Sequence, residues 1–179
     1  MRKLIPISLL FIAAIGFYSF VSPVEESDYL TEVKWYTFEE AVAANKTNPK
    51  KFMVDVYTDW CGWCKRMDKA TFQQEEISKY LNENFYAVKL DAEMKTDVAF
   101  KGHTFNYVPN AGRKGVHTLA YSLLEGSMSY PSIVFLDENV DRIMVSKGYK
   151  GPEDFIKELK YAAEDHYKKT SLNAFKAGK

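Results

Sequence analysis

The sequence predicts an α/β domain with a central mixed β-sheet and helices on both faces, and three observations carry that reading. Two nearly continuous apolar runs, Phe52 to Tyr57 and Phe85 to Leu90, read as strands, the first of them buried on both faces. Between them, Met67 to Asn82 places Ile77, Tyr80 and Leu81 at helical spacing, so a helix with a break near Thr71 joins the two strands. Further on, Ile133 to Leu136 and Val140 to Ser146 flank the turn triplet Asp137-Glu138-Asn139, the pattern of an antiparallel hairpin. The resulting order, β-α-β-α-β, an insertion, then α-β-β-α, suits a mixed sheet covered on two sides. With 179 residues and 46% hydrophobic content the chain fills one domain and is short for two.

The N-terminal stretch, Met1 to Val21, carries Arg2 and Lys3 ahead of an apolar run and reads as an export signal. Cleavage after Gly16 satisfies the small-x-small rule through Ala14 and Gly16. Phe17, Tyr18 and Phe20 equally suit a retained membrane anchor. Both outcomes stay open, and both leave the chain beyond Val21 outside the cytoplasm. The division expected is a signal peptide or N-terminal membrane anchor over 1–22, a polar linker over 23–31, the domain over 32–168 and a frayed tail over 169–179.

The domain opens with a short strand, Val33 to Tyr36. Thr37 and Glu40 then form a capping-box pattern that starts a helix running to about Asn45. Asn48-Pro49 turns the chain into the strand Phe52 to Tyr57, and Thr58-Asp59 turns it out again into a helix opened by Cys61. After the second strand, 92–115 is long, rich in Gly, Asn and Lys, and contains Phe100, His103, Phe105 and Tyr107. Loops of this length are functional or disordered in compact domains. The expectation is that Phe100, Phe105 and Tyr107 either grip an extended polypeptide or pack the loop onto the domain. A helix over Val116 to Glu125 and a last amphipathic helix from Pro152 to about Tyr167 complete the chain, with His117 and His166 as ordinary helix-face residues.

The chemistry-bearing residues are Cys61 and Cys64, the only cysteines. At a helix start the first N–H groups lack partners and the helix dipole is positive, which favours a thiolate on Cys61. Cys64 lies on the same face three residues on, placed to close a small disulfide and to resolve a mixed one. A purely structural disulfide would constrain little chain at this spacing. A zinc half-site would need two further ligands, and His103, His117 and His166 lack paired spacing. No metal and no cofactor are expected. The 24 basic and 24 acidic residues balance, offering no field for nucleic acid or an anionic membrane surface.

The run W-C-G-W-C-K after V-D-V-Y resembles the active-site signature of the thioredoxin superfamily, most closely its secreted bacterial thioredoxin-like members. The likeness extends from about Trp35 to about Tyr161 and includes Tyr130-Pro131, where the family places a cis-proline beside the dithiol. It departs at Trp63, where thioredoxin has proline, and that leaves the redox potential open. The resemblance implies that Asp55 is a buried carboxylate beneath Cys64 that takes its proton, the alternative being a surface-facing strand residue. Lys89 is then either the lysine neighbouring that aspartate or a solvent-facing one. Trp60, Gly62, Trp63, Tyr130 and Pro131 are the expected substrate contacts.

The implied function is an exported, periplasmic or extracytoplasmic thiol–disulfide oxidoreductase, reducing or isomerising protein disulfides and supplied by a membrane-bound electron donor. A binding module of the same fold with little redox turnover is the alternative.

Overall fold

The computed structural model describes residues 32–112 and 114–178. The expected signal or anchor and the linker lie outside the described residues. A short edge strand β1 (Trp35–Tyr36) leads to α1 (Phe38–Asn45). The capping box is present: the Glu40 N–H donates to Thr37 Oγ1 at 3.2 Å and the Thr37 N–H donates to Glu40 Oε2 at 2.8 Å. β2 (Lys51–Tyr57) follows and is buried along almost its whole length. After the turn come α2 (Gly62–Met67), a π-helical turn over Asp68–Phe72, α3 (Glu75–Asn84) and β3 (Phe85–Asp91).

The break expected near Thr71 in the helical stretch Met67 to Asn82 is present, as the π-helical turn. Its wide turn carries Thr71, which is fully buried and donates its hydroxyl to the Lys150 carbonyl at 2.7 Å, tying this segment to the loop before the helix that starts at Pro152.

The insertion is not structureless. It folds as two small antiparallel pairs, β4 (Val98–Phe100) with β5 (His103–Phe105), and β6 (Tyr107–Val108) with β7 (Val116–His117). Backbone pairing satisfies groups that a bare loop would leave to water. The helix expected from Val116 starts later, as α4 (Thr118–Leu123), because Val116 and His117 are spent in β7.

β8 (Ser132–Leu136) and β9 (Arg142–Lys147) form the predicted hairpin, with β9 shorter than expected. Val140 has φ 64° and sits in the turn, where the Asp137 carboxylate accepts the N–H groups of Asn139 and Asp141. The hairpin ends before α5 (Pro152–Ala163), whose N-cap is Gly151. That helix stops four residues before the expected Tyr167, at a left-handed Asp165, and His166 sits in a single 3₁₀ turn over His166–Lys168. The expected frayed tail is ordered into α6 (Leu172–Lys176). Lys176 reaches the buried Glu158 at 2.7 Å, and Phe175 packs against Tyr161 and His166.

The main sheet runs β1-β3-β2-β8-β9; β1, β3 and β2 are parallel, and β8 and β9 are antiparallel to their neighbours. This is the predicted mixed sheet. Because side chains alternate along β2, Phe52, Val54 and Val56 face a core shared with α1 and α4, while Met53 faces a second core with Met67, Phe72, Phe155 and Leu159. Each large side chain fully buried here contributes about 1.5–3 kcal/mol by removal from water. Asp55 follows the alternation of Met53 and so points into the second layer, the one that α2 covers.

Candidate active site

β2 and β3 run parallel, so their C-terminal ends, Tyr57 and Asp91, lie at one edge of the sheet and are paired in register. The dithiol segment leaves one of them and the insertion leaves the other. Cys61 is the N-cap of α2. Its N–H donates to the Thr58 carbonyl at 3.0 Å, and its Sγ accepts the Cys64 N–H at 3.1 Å. The two sulfurs are joined in a disulfide, with Cα atoms 5.3 Å apart.

Both cysteines are buried, Cys61 at 5% exposure and Cys64 at 2%. Cys61 is thus the more open of the pair only narrowly. The exposed groups are the tryptophans on either side, Trp60 at 53% and Trp63 at 55%. The Trp63 ring packs on Tyr149 at 5.5 Å, and the Arg66 guanidinium lies over both rings. No substituent projects from Gly62, and a Cβ there would meet nothing within 4 Å.

Tyr130-Pro131 is cis, as the resemblance implied, and the Tyr130 ring stands edge-on to Trp60 at 5.9 Å. The Pro131 carbonyl accepts the Gly148 N–H, whereas among the described residues no hydrogen bond reaches the main chain of Tyr130.

Asp55 is buried and not surface-facing. Its Oδ2 accepts from Lys89 Nζ at 2.6 Å, and its Oδ1 has no protein partner among the described residues. Burial pushes its carboxyl up from 3.8 to about 6, against the opposing pull of the Lys89 ammonium. The reading of Lys89 as solvent-facing is also overturned. It stands opposite Asp55 in the β2–β3 register and bridges to Asp68 as well. Burial opposes its charge, but the two carboxylates outweigh that effect and raise its pKa.

Asp68 was not singled out from the sequence, although it lies four residues after Cys64, one turn along the same helical face. Glu93 was missed too. Its Oε1 accepts from Trp60 Nε1 at 2.8 Å, and no local pattern could reveal a contact between residues 33 apart.

The insertion's aromatics do not reach toward the dithiol edge as a grip. Phe100 packs edge-on against Phe38 at 5.2 Å and Phe105 packs on the same core. Tyr107 donates its hydroxyl to the Lys114 carbonyl at 2.6 Å, and its ring occupies the space where a Cβ on Gly115 would stand. This close approach and the positive φ of 85° both require glycine at 115. His117 is fully buried rather than on a helix face. Its Nδ1 accepts the Leu119 N–H as the cap of α4, Nε2 faces the Thr96 carbonyl, and burial lowers its pKa, so it is neutral at pH 7.

Several known proteins share parts of this chain. It is 36% identical over 94 residues to the spermatogenesis-associated protein 20 of Mus musculus, covering 49% of this chain and 12% of that protein. It is 34% identical over 67 residues to the thiol:disulfide interchange protein DsbD of Pseudoalteromonas atlantica, covering 37% of this chain and 11% of that protein. The chain therefore spans only about a tenth of the length of these relatives. Among solved structures, a thioredoxin-fold protein from Helicobacter pylori matches with a TM-score of 0.58 at 17% identity, over 83% of this chain and 92% of that one. A model of the thioredoxin-like domain matches residues 38–163, a span that includes the disulfide, Asp55, Lys89 and the cis-proline. The chain belongs to the thioredoxin-like domain family.

Proposed function

We propose that this protein is an exported thiol–disulfide oxidoreductase that reduces or isomerises protein disulfides. The observation that carries the reading is the Cys61–Cys64 disulfide at the start of α2, on the sheet face where the buried Asp55 titrates near 6. In the reduced protein the Cys61 thiolate attacks one sulfur of a substrate disulfide. That S–S bond breaks, the other substrate sulfur leaves as a thiolate, and a mixed disulfide forms on Cys61. Asp55 then takes the proton of Cys64, and the Cys64 thiolate attacks Cys61 Sγ. The second substrate thiolate departs, and the disulfide seen here closes. Two electrons pass to the substrate, so a dithiol donor must restore the pair; for a protein outside the cytoplasm a membrane-bound reductase fits that need. No organic cofactor enters these steps.

The likeness to a thiol:disulfide interchange protein supports the reaction class. The Met1 to Val21 segment supports export, by cleavage or with retention as an anchor. Trp60, Gly62, Trp63, Tyr130 and Pro131 form the substrate-facing surface, with the main chain of Tyr130 pairing to an extended substrate. The test is direct: the reduced domain mixed with a disulfide-bonded protein should generate two new substrate thiols for each Cys61–Cys64 disulfide formed. Absence of both thiol release and reshuffling of the substrate's disulfides would refute the reading.

Two further outcomes are expected. Cys61 should alkylate with an apparent pKa below the free-thiol value of about 8.5, because its sulfur accepts a helix N–H, while Cys64 should not. Alkylation rate against pH measures this, and a faster, more acidic Cys64 would reverse the roles.

The potential should fall in the reducing half of the range of roughly −120 to −270 mV spanned by dithiols of this kind. Gly62 and Trp63 add no cation between the cysteines, and the Arg66 guanidinium lies over the rings of Trp63 and Tyr149. Equilibration with defined glutathione mixtures measures it, and a value near the oxidising end would make the protein an oxidase.

A further inference from the structure

The chain is neutral overall, with 24 basic and 24 acidic residues, but the charge around the dithiol is not balanced. Lys65 and Lys69 follow Cys61 at four-residue steps, and the Lys65 N–H donates to the Cys61 carbonyl at 3.2 Å, closing the first turn of α2. At a rise of about 1.5 Å per residue the two lysines stand about 6 and about 12 Å along the axis from Cys61. Arg66 lies beside them. With Ala70, these three cations line one open hollow, on the side of the dithiol that carries Trp63.

None of the three is neutralised within the domain. They are exposed, and among the described residues no ion pair involves any of them and no carboxylate lines the hollow. Arg66 is held by aromatic faces instead, 5.2 Å over Trp63 and 5.6 Å over Tyr149, which fixes the guanidinium and leaves its charge. The acids nearest in the chain are committed elsewhere. Asp68 is paired with Lys89, and Asp59, on the turn before Cys61, acts on Tyr57 and Asp91 at the strand ends.

Positive charges spaced along a helix reward a surface that presents several carboxylates at matching intervals, more than one small anion can. Each exposed pair adds little affinity, so such a face acts by steering the encounter and choosing the partner. Anything bonded to Cys61 lies at the head of the stripe. We propose that this cationic stripe is the docking face for an acidic partner protein, one that carries carboxylates about 6 and about 12 Å from the disulfide that Cys61 attacks. This deepens the oxidoreductase reading and rests on it.

The experiment uses three symmetric cystine peptides that differ only at the second and fourth residues after the cysteine, as Glu, Lys or Ser. An extended chain places those side chains about 7 and about 13 Å from the cysteine. Each rate is divided by that of the same peptide with dithiothreitol, which removes the peptide's own reactivity. At about 10 mM ionic strength, where the Debye length is about 30 Å, the wild type should favour the Glu over the Lys peptide in kcat/KM by about tenfold or more. In about 1 M salt, where that length is about 3 Å, the ratio should fall to within about twofold. Lys65→Glu with Lys69→Glu should invert the preference, and Lys65→Gln with Lys69→Gln should bring it most of the way to one. Lys46→Glu with Lys157→Glu makes the same change in net charge at the end of α1 and on α5, and should leave the ratio as it is. A wild-type ratio near one, or a ratio that the Lys46 and Lys157 changes shift as far as the stripe variants do, overturns the docking face.

A second measurement separates this from the redox reading. A cysteine-free Glu peptide is titrated onto the oxidised protein and followed by amide NMR, with hydroxyethyl disulfide reduction by the reduced protein measured in parallel. Shifts at residues 65–70 that disappear in about 1 M salt, without any disulfide reduction, keep the docking face and remove the oxidoreductase. Reduction of hydroxyethyl disulfide and of all three cystine peptides at equal normalised rates, with no such shifts, does the opposite. Binding to anionic phospholipid vesicles that Lys65→Glu with Lys69→Glu abolishes, together with no preference among the peptides, makes the stripe a membrane contact and overturns the protein partner.

Discussion

Replacing Cys61 by serine is expected to lower the rate of protein-disulfide reduction by about 10³-fold or more, since the covalent route then has no sulfur to begin it. Cys64→Ser should behave differently. Cys61 keeps its place at the start of α2 and its hydrogen bond from the residue 64 N–H, a main-chain group that the substitution retains. The first attack then proceeds and the second has no nucleophile, so the mixed disulfide accumulates. Non-reducing electrophoresis of Cys64→Ser from the native cell should show Cys61-linked adducts that vanish with dithiothreitol, and mass spectrometry of them names the substrates. If Cys61→Ser retains the activity, or if Cys64→Ser collects no adduct while Cys61→Ser does, the assignment of nucleophile and resolving thiol is wrong. A protein that binds a partner equally well with Cys61→Ala and shows no exchange would be the binding module instead.

Asp55→Asn should change both stability and kinetics, and the sign of the first follows from its titration. Burial raises the carboxyl from 3.8 to about 6 in the folded protein. Between those values the folded state holds a proton that the unfolded chain has lost. The stabilisation is therefore full below about pH 4 and is lost as pH rises through about 6. At about 1.36 kcal/mol per pH unit the whole swing is about 3 kcal/mol. Lys89, whose pKa is raised, keeps its charge across this window and adds no slope there.

Asparagine cannot ionise, so the variant should gain about 2 kcal/mol relative to the wild type between pH 4 and pH 7.5, the rest of the swing lying below pH 4. Asp91 and His117, also shifted, are common to both proteins and cancel in the difference. Denaturant unfolding at the two pH values measures it, and a pH-independent difference would mean that Asp55 is not the titrating group. On the proposed role of the carboxylate as base for the second thiol, the same variant should also slow resolution of the mixed disulfide about 10²-fold while its formation changes only a few-fold. Equal slowing of both steps would leave Asp55 a structural residue.

The local signals in the chain were sufficient for much of this molecule. The capping box at Thr37 and Glu40, the buried strand Phe52 to Tyr57, the turn into the dithiol and the Asp137 hairpin are each set by interactions spanning a few residues, and each stands where expected. The cysteine pair was legible for the same reason, since three-residue spacing at a helix start is itself a short-range fact.

What the sequence by itself did not determine involves partners far apart in the chain. Lys89 could face solvent or neighbour Asp55 until β2 and β3 brought it level with that carboxylate and the π-helical turn brought in Asp68. Whether Phe100 and Phe105 grip a substrate or pack on the domain was open until β4 and β5 laid them on the core, and the tail looked frayed until Lys176 met Glu158. Trp60 and Glu93 are joined because two parallel strands end at one edge. Hydrophobic periodicity reports whether a side chain is turned inward, because that depends on its neighbours in the chain. The charge it meets there, and the wall it builds beside the disulfide, are decided only when the sheet assembles and brings distant segments within hydrogen-bond reach.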